Sequence, residues 1–281
     1  MKISFLMAVH NEEKMLKKVL DNLTSIPCDD YEIIVGLDGC TDKSEEIVKK
    51  YKQVKYCRLN LRQGKNAVIN KIVTQASGEI IIIHDADWLF KVEDKGSLDR
   101  LIALFKSQKV GGVAEAFPIQ YPLRRGAGFL ERGIMIQNKL WMDYNKKKAT
   151  GPLLVNIMRR RLYKKSQTLA DDFERFNDLA RDGYKIIVDE SLELPRMITA
   201  GENYTFKGLI RQKERTALAR KQVSLHFGFG FYFYVLGKCF TMGFRNLIAF
   251  STVNLAFIIG TIKSKFNKET STKEGWEMRG R

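Results

Sequence analysis

Asp85-Ala86-Asp87 closes a short, strongly β-branched run, Glu79 to His84, and is the first stretch whose residue types and spacing could do chemistry. The run is too short for a self-standing helix and suits a covered strand. On extended or barely curled backbone, residues i and i+2 point the same way, so both carboxylates are expected to face one point beyond the strand's carboxyl end. Open α/β sheets hold their ligands there. Paired acids repel unless a positive charge lies between them, and a hard divalent cation already carrying phosphate oxygens would supply it. A solvated acidic turn after a strand is the competing reading.

The elements that must position this pair follow from periodicity. Ile3 to Val9 reads as a first strand, and Asn11 is expected to cap a helix whose apolar stripe is Leu16, Val19, Leu20 and Leu23. Ile33 to Leu37 reads as a second strand, after which Asp42 and Glu45 match a capping box heading a helix with Ile47, Val48 and Tyr51. Val54 to Arg58 is a short third strand. Gly64 lets the chain turn into a helix carrying Ala67, Ile69, Ile72, Val73 and Ala76. This rhythm predicts an α/β fold with a mostly parallel sheet covered by helices. No GxGxxG follows the first strand, and Gly64-Lys65-Asn66 lacks the spacing of a P-loop, which disfavours nicotinamide enzymes and P-loop ATPases.

Further along, Ser97 is expected to cap a helix with Leu98, Leu101, Ile102, Leu104 and Phe105. Val110 to Phe117 reads as a strand in which Gly111 and Gly112 mark a bulge or a close backbone approach. Pro118 and Pro122 bracket a turn. Glu131 to Lys148 reads as a long helix with Ile134, Leu140, Trp141 and Tyr144 on its buried side, and Gly151-Pro152 breaks the pattern. Leu153 to Ile157 is strand or buried loop. Asp171-Asp172-Phe173 opens a helix that Gly183 stops, Tyr184 to Val188 is a short strand, and Lys207 to Leu225 is a basic helix.

With 281 residues and 44% hydrophobic content the chain can bury a full core, and 48 basic against 32 acidic residues leave a net charge of +16. Such a field favours anionic partners: nucleic acid, a phospholipid surface or an anionic small substrate. Basic blocks fall at Lys146 to Lys148, Arg159 to Arg161 and Lys164 to Lys165, and again from Lys207 through Arg211, Lys213, Arg215, Arg220 and Lys221. The four cysteines, Cys28, Cys40, Cys57 and Cys239, show neither CxxC nor zinc spacing, so a reduced setting is expected. No ordinary signal peptide is expected before the first strand. In the tail, Phe227 to Phe240 is rich in aromatics, and Leu247 to Ile262 is apolar but for Ser251, Thr252, Asn254, Gly260 and Thr261. That stretch falls short of the roughly 20 residues of a membrane helix. A marginal span extending to Phe244, a hairpin in the interface and an ordinary core helix all fit. Lys238, Arg245, Lys263 and Lys265 at its ends favour an anionic lipid surface, and the expected location is the cytoplasmic face of the cell membrane, peripheral or with one marginal C-terminal span.

Taken together, the motifs resemble those of the GT-A fold, family 2 glycosyltransferases, inverting enzymes that use nucleotide-diphosphate sugars. Ala8-Val9-His10-Asn11-Glu12-Glu13 is similar to the family's opening Pro-x-Tyr-Asn-Glu-Glu, and Asp38-Gly39-Cys40-Thr41-Asp42 to Asp-Gly-Ser-Thr-Asp. Gly64-Lys65-Asn66-Ala67 through Asn70 resembles Gly-Lys-x-x-Ala-x-Asn, offset at the alanine. Asp85-Ala86-Asp87 resembles the metal-binding Asp-x-Asp, Asp171-Asp172 the acidic pair that supplies the base, and Gln212-Lys213-Glu214-Arg215 falls on Gln-x-x-Arg-Trp. Six elements stand in the family's order from residue 8 to residue 215. Two departures stand out. His10 replaces an aromatic, and Thr216 stands where tryptophan is usual, which weakens any processive reading.

The resemblance implies Mg²⁺ or Mn²⁺, with Asp87 as direct ligand and Asp85 contacting ribose or metal. It places Asp38 against a nucleobase, uracil in many relatives, so that a UDP-sugar is the favoured donor, and puts Lys65 and Asn11 at the nucleotide. Asp172 becomes the general base and Asp171 a residue that orients the acceptor, while Gln212 and Arg215 clamp the diphosphate. Other roles stay open for each: a turn aspartate for Asp38, a plain helix start for Asp171 and Asp172, a basic surface helix around Lys207 and Lys213. Trp88 lines the sugar or acceptor pocket or packs in the core, and Trp276 is unplaced. Residues 1–222 are expected to form the catalytic domain, 1–115 for the nucleotide and 116–222 for the acceptor, with 223–281 as a membrane-associating segment. The acceptor expected is a lipid-linked or cell-surface glycan. A sugar nucleotidyltransferase shares the metal logic, but its glycine-rich basic loop after the first strand is missing. A nucleic-acid-binding module is prompted by charge alone, with no recognition motif beside it. A catalytically inactive glycan-binding relative is the last alternative.

Overall fold

The computed structural model describes residues 1–28, 30–92, 94, 96–115, 128–148, 154–166, 168–189, 193–199, 205–223 and 229–267. Pro118, Pro122, Gly151, Pro152 and Trp276 lie outside the described residues. The chain divides into two units, the first made of Met1–Glu115, Leu153–Gln167 and Asp171–Ala200, the second of Ala116–Pro152, Thr168–Ala170 and Gly201–Arg281.

The first unit begins with β1 (Ile3–Val9), α1 (Glu13–Thr24), β2 (Tyr31–Asp38), α2 (Ser44–Val48), β3 (Val54–Leu59), α3 (Lys65–Ile72) and β4 (Ile80–Ile83). β1 is buried at every position and β4 is four isoleucines, all buried, as expected for parallel strands covered on both faces. There follow β5 (Trp88–Lys91), α4 (Ser97–Leu104) and β6 (Val110–Glu115); then, after α5 (Phe129–Lys148) of the second unit, β7 (Val155–Arg159), α6 (Asp171–Arg181), β8 (Lys185–Asp189) and β9 (Arg196–Thr199). The seven-stranded sheet has the order β3-β2-β1-β4-β7-β6-β8, and β5 pairs with β9 in a separate antiparallel ribbon. β7 runs antiparallel between β4 and β6, and the remaining pairs are parallel. The α/β expectation therefore holds, with one reversed strand inside the sheet.

Gly111 and Gly112 serve both purposes expected of them. The register slips between Val110 and Gly112, and a Cβ on Gly111 would sit 2.7 Å from Tyr184 Cβ, one on Gly112 2.8 Å from Leu179 Cδ1. Three local expectations fail. Asn11 does not cap α1: Glu12 holds that position without a side-chain cap, and Asn11 takes a left-handed φ of 53°. Asp42 and Glu45 form no capping box: Asp42 does accept from Ser44 N–H at the first residue of α2, and from Glu13 N–H with its other oxygen, but Lys43 holds the cap position and Glu45 turns to Lys49 and Arg58. Gly96, one residue before Ser97, is the cap position of α4.

Among its described residues the second unit supplies four helices, α5, α7 (Phe206–Gln222), α8 (Phe229–Cys239) and α9 (Phe244–Ser264). Ile134, Leu209, Val253 and Ala256 form its core. Two glycines allow the helices to close up, since a Cβ on Gly133 would lie 2.3 Å from Ala249 O and one on Gly260 2.6 Å from Glu214 N. The apolar run of the tail proves longer than the stretch from Leu247 to Ile262: α9 has 21 residues, and among the described residues it is the one helix long and apolar enough to cross a membrane.

Candidate active site

The chain leaves β1 for β2 and β3 on one side, and β4 then joins β1's other edge, so the strand order reverses at the carboxyl ends of β1 and β4. Crevices for ligands form at such switch points. The loops after β1 and β2 interlock there. His10 donates from Nδ1 to the Asp38 carbonyl at 2.6 Å, and Asn11 accepts from Thr41 N–H at 2.8 Å while donating to the Thr41 hydroxyl at 3.2 Å. Glu12 N–H donates to Ser44 Oγ and Glu13 N–H to Asp42 Oδ2, each at 2.9 Å, and Lys43 N–H returns a bond to Glu13 Oε2 at 3.1 Å. The two motifs thus exchange bonds residue for residue.

Asp38 is fully buried and turns its carboxylate to the loop ahead of α3, accepting from Gln63 N–H at 2.6 Å and Gly64 N–H at 2.8 Å. Each oxygen retains acceptor capacity for a further donor. Gly64, at φ 93°, then launches α3, and Lys65 is its first residue. Lys65 Nζ lies 2.9 Å from Asp85 Oδ1 and 3.6 Å from Asp171 Oδ2. One ammonium therefore ties the acidic motif after β4 to the acidic pair that opens α6.

Asp85 to Trp88 is a tight turn closed by Trp88 N–H donating to Asp85 O at 3.1 Å, more curled than the extended or barely curled backbone expected for this motif. Asp87 is buried within it. Asp85 and Asp87 offer oxygen donors alone, the type a hard divalent ion takes; among the described residues no group of three or more His, Cys, Asp or Glu side chains gathers. Trp88 starts β5 and packs partly against the core.

Asp171 and Asp172 differ in their surroundings. Arg175 lies one turn on and is buried, giving Nη1 to Asp171 Oδ2 at 2.7 Å, Nε to Val155 O at 2.6 Å and Nη2 to Asn156 Oδ1 at 2.7 Å. Burial pushes the Asp171 carboxyl up, but Lys65 and Arg175 outweigh it and hold the group ionised below the usual range. Asp172 accepts from Phe173 N–H at 2.9 Å and joins no ion pair among the described residues. Burial first, then the charge of Asp171, pushes its carboxyl up. Behind both, Ser166 donates to Glu174 Oε2 at 2.5 Å and accepts from Asn66 Nδ2 at 3.5 Å, while Tyr163 donates to Asn70 Oδ1 at 2.6 Å, joining α3 to α6.

Lys65, Asp85, Asp171 and Asp172 thus come together in the first unit. Gln212 and Arg215 lie on α7 of the second unit, where Thr216, in the usual place of tryptophan, bonds its hydroxyl back to Gln212 O at 2.9 Å. Arg175 and Asn156 escaped the sequence reading. The i,i+4 spacing of Asp171 and Arg175 was the available signal for the first; for Asn156 there was none.

The glycosyl transferase family 2 model matches residues 4–168, more than half of the chain. The chain belongs to glycosyl transferase family 2. A poly-β-1,6-N-acetyl-D-glucosamine synthase of Staphylococcus epidermidis is 31% identical over 40% of this family 2 chain and 27% of its own length. A β-monoglucosyldiacylglycerol synthase of Nostoc sp. is 32% identical over 40% of the chain and 25% of its own, and a probable glycosyltransferase, YdaM, of Bacillus subtilis is 28% identical over 80% and 57%. The chain thus covers about a quarter of the length of the first two. Among solved structures, a mannosyltransferase of Pyrobaculum calidifontis in complex with GDP-Man and Mn²⁺ superposes with a TM-score of 0.57 at 16% identity, over 99% of this chain and 84% of that one. A glucosyl-3-phosphoglycerate synthase of Mycobacterium tuberculosis with Mn²⁺ and UDP gives 0.53 at 16% identity, over 81% and 80%. Both likenesses establish the fold.

Proposed function

We propose that this family 2 chain is an inverting, non-processive glycosyltransferase that moves a sugar from a nucleoside-diphosphate sugar to a hydroxyl of a glycan or lipid-linked acceptor. The observation that carries the reading is Lys65 lying between Asp85 and Asp171, with Asp172 next along the same helix. Groups suited to a diphosphate and to an acceptor hydroxyl thereby share one locality.

Asp87 with Asp85 would hold Mg²⁺ or Mn²⁺, whose Lewis acidity, when bound, stabilises charge gathering on the diphosphate. Lys65 adds a fixed positive charge beside it. Asp172 takes the acceptor's proton as that oxygen attacks the anomeric carbon. The bond from that carbon to the diphosphate oxygen breaks, its electron pair leaves with the nucleoside diphosphate, and one displacement inverts the configuration. Asp172 suits the task because its proton affinity is raised; Asp171, whose anion two cations stabilise, is the weaker base and orients the acceptor instead. Asp38 and Asn11 are assigned to the nucleotide, and Gln212 and Arg215 to the diphosphate, by the motifs they occupy. The solved neighbours carry GDP-Man in one case and UDP in another, so the preference for a UDP-sugar rests on the motif around Asp38. The names of the relatives speak for both acceptor classes, one a polysaccharide and one a glycolipid. The location assigned is the cytoplasmic face of the cell membrane, with α9 in support.

A screen of nucleotide sugars with Mn²⁺ tests this reading. A true donor raises the unfolding temperature and is consumed with release of nucleoside diphosphate. Turnover that survives both Asp87→Asn and Asp172→Asn would defeat it.

A further inference from the structure

We propose that the outer faces of α8 and α9 dock in the plane of an anionic phospholipid surface, and that α9 does not cross the bilayer. The proposal rests on the membrane location given above and specifies how the chain attaches.

α9 has two apolar faces. Ala249, Phe250, Val253, Ala256, Gly260 and Ser264 are buried, whereas Phe244, Ile248, Leu255, Ile258, Ile262 and, just past its end, Phe266 are exposed. At about 100° per residue the second set forms one narrow stripe, roughly opposite the first. Phe244 is 77% exposed and Phe266 83%. α8 repeats the arrangement. Its inner side stacks Phe231 against Trp141 and Tyr144 of α5, at 5.5 and 5.2 Å, while Phe233 and Leu236, with Phe240 just beyond its end, face outward, Phe240 84% exposed. Exposed apolar area on this scale marks an interaction surface.

Charge selects the occupant. Lys238, Arg245, Lys263 and Lys265 are exposed beside these stripes, with no acidic residue on α8 or α9, in a chain of net charge +16. Apolar stripes rimmed by cations are what an anionic lipid interface binds. The packing of α9 decides between lying and spanning. Its buried face rests on α7, which carries Lys207, Arg211, Lys213, Glu214, Arg215, Arg220 and Lys221, and Gly260 brings the backbones together beside Glu214. Lys263 pairs with Glu214 at 3.5 Å, and Asn267 donates to it at 3.1 Å. A spanning α9 would either draw this charged helix into hydrocarbon or abandon the packing, and both are costly. Lying flat keeps the packing and leaves the exposed charges of α7, Lys207, Arg211 and Lys221, in water.

The test uses the full chain without donor or acceptor, so its outcome is independent of catalysis. Flotation with phosphatidylcholine vesicles, with and without phosphatidylglycerol, is expected to show binding that requires the anionic lipid. Arg245→Glu with Lys265→Glu should weaken it about tenfold or more. Phe240→Ser with Phe244→Ser should abolish it while leaving the unfolding temperature unchanged, because both side chains stand in solvent. Tryptophans placed singly at Ile248, Leu255 and Ile262, corrected for the native ones, should be quenched by brominated lipids at one shallow depth. Failure to bind, or deepest quenching at Leu255, overturns the proposal. So does a concentration-dependent dimer that the Phe240 and Phe244 substitutions abolish without any vesicle binding, since the face would then belong to a second copy.

Discussion

The two units handle charge and apolar surface in opposite ways. In the sheet unit most apolar residues are covered and the buried carboxylates at its paired sites each meet a cation, Asp171 with Lys65 and Arg175 and Glu32 with Lys55, while the buried Arg159, outside these pairs, is held by the carbonyls of Phe105, Ser107 and Val110. In the helical unit the apolar residues reach the surface and cations go inside. Lys213 is buried with its ammonium on the Gln137 amide oxygen, and Arg220 lies between Trp141 and Phe257, 5.7 and 5.0 Å from their rings. A unit built around an internal polar site needs exact pairing, because an unpaired buried charge is expensive; a unit built around an outer face spends its apolar residues outward.

The sharpest way to break the comparison is at the paired site. Asp172→Asn is expected to lower turnover by about 10²–10⁴, and Asp87→Asn to abolish metal-dependent turnover, both read by nucleoside diphosphate release. Asp172→Asn should nonetheless fold as stably as the parent or better, since its carboxyl is pushed up by burial and by Asp171 and so is strained as an anion. Asp171→Asn should lose stability in the same unfolding assay, because it takes away the carboxylate that Arg175 pairs with, although Lys65 keeps Asp85. If the two neighbours behave alike, the division of labour between them is wrong.

Arg175→Ala comes next. Removing one partner of a buried pair costs about 3–5 kcal/mol, and here it also frees the start of α6 from Val155 and Asn156 at the head of β7. Denaturant unfolding should show that loss, and Arg175→Lys should recover only part, since an ammonium cannot reproduce the guanidinium fork.

How far sequence anticipated this depends on the range of the contact. Covered parallel strands read as unbroken apolar runs, so β1 to β4 and the helices between them were legible. β5 and β9 were not, being four-residue strands of mixed composition that exist only as a pair. The stretch ending at Ile157 was read as strand or buried loop, and periodicity carries no sign of direction, so the reversal of β7 escaped. Locally, the types of Asn11 and Asp42 favour helix starts; Asn11 instead bridges to the loop about thirty residues on, and Asp42 splits its oxygens between Ser44 N–H at the start of α2 and Glu13 N–H across the same gap, competition no window of sequence displays. The motifs pick out both acidic pairs and Lys65, but not that Lys65 joins the pairs, since Lys65 and Asp171 meet only in the folded chain.

A smaller effect tests the helical unit's packing. Gly260→Val places a branched side chain where a Cβ alone would be 2.6 Å from Glu214 N and 2.9 Å from Ile210 O, and backbone cannot move aside as a side chain would. Overpacking of this kind costs about 1–3 kcal/mol. Thermal unfolding should register it, whereas Leu255→Ser on the exposed face of the same helix should leave stability in vesicle-free buffer unchanged.

The finest distinction lies in the pH dependence of stability. Glu32 is desolvated, but bonds from Lys55, Ser4 and Ser77 outweigh that and bring its carboxyl down from 4.5 to about 2. A depressed carboxyl contributes fully above its unfolded value, so this stability is present above pH 4.5 and drains away as pH falls toward 2. Lys213 is lowered from 10.5 to about 7 by burial and then by Arg220. Its neutral form is the one the fold accepts, so stability is fully present above pH 10.5 and declines as pH falls to 7, where the charge must be carried inside. Glu32→Gln should therefore flatten the acid limb of a stability profile and lower the plateau. Lys213→Met should flatten the alkaline limb and raise stability at neutral pH, because it removes a buried cation that no carboxylate among the described residues neutralises. A Lys213→Met protein less stable than the parent at pH 7 would mean that the helical unit pairs its charges as the sheet unit does, and the contrast between them would fall.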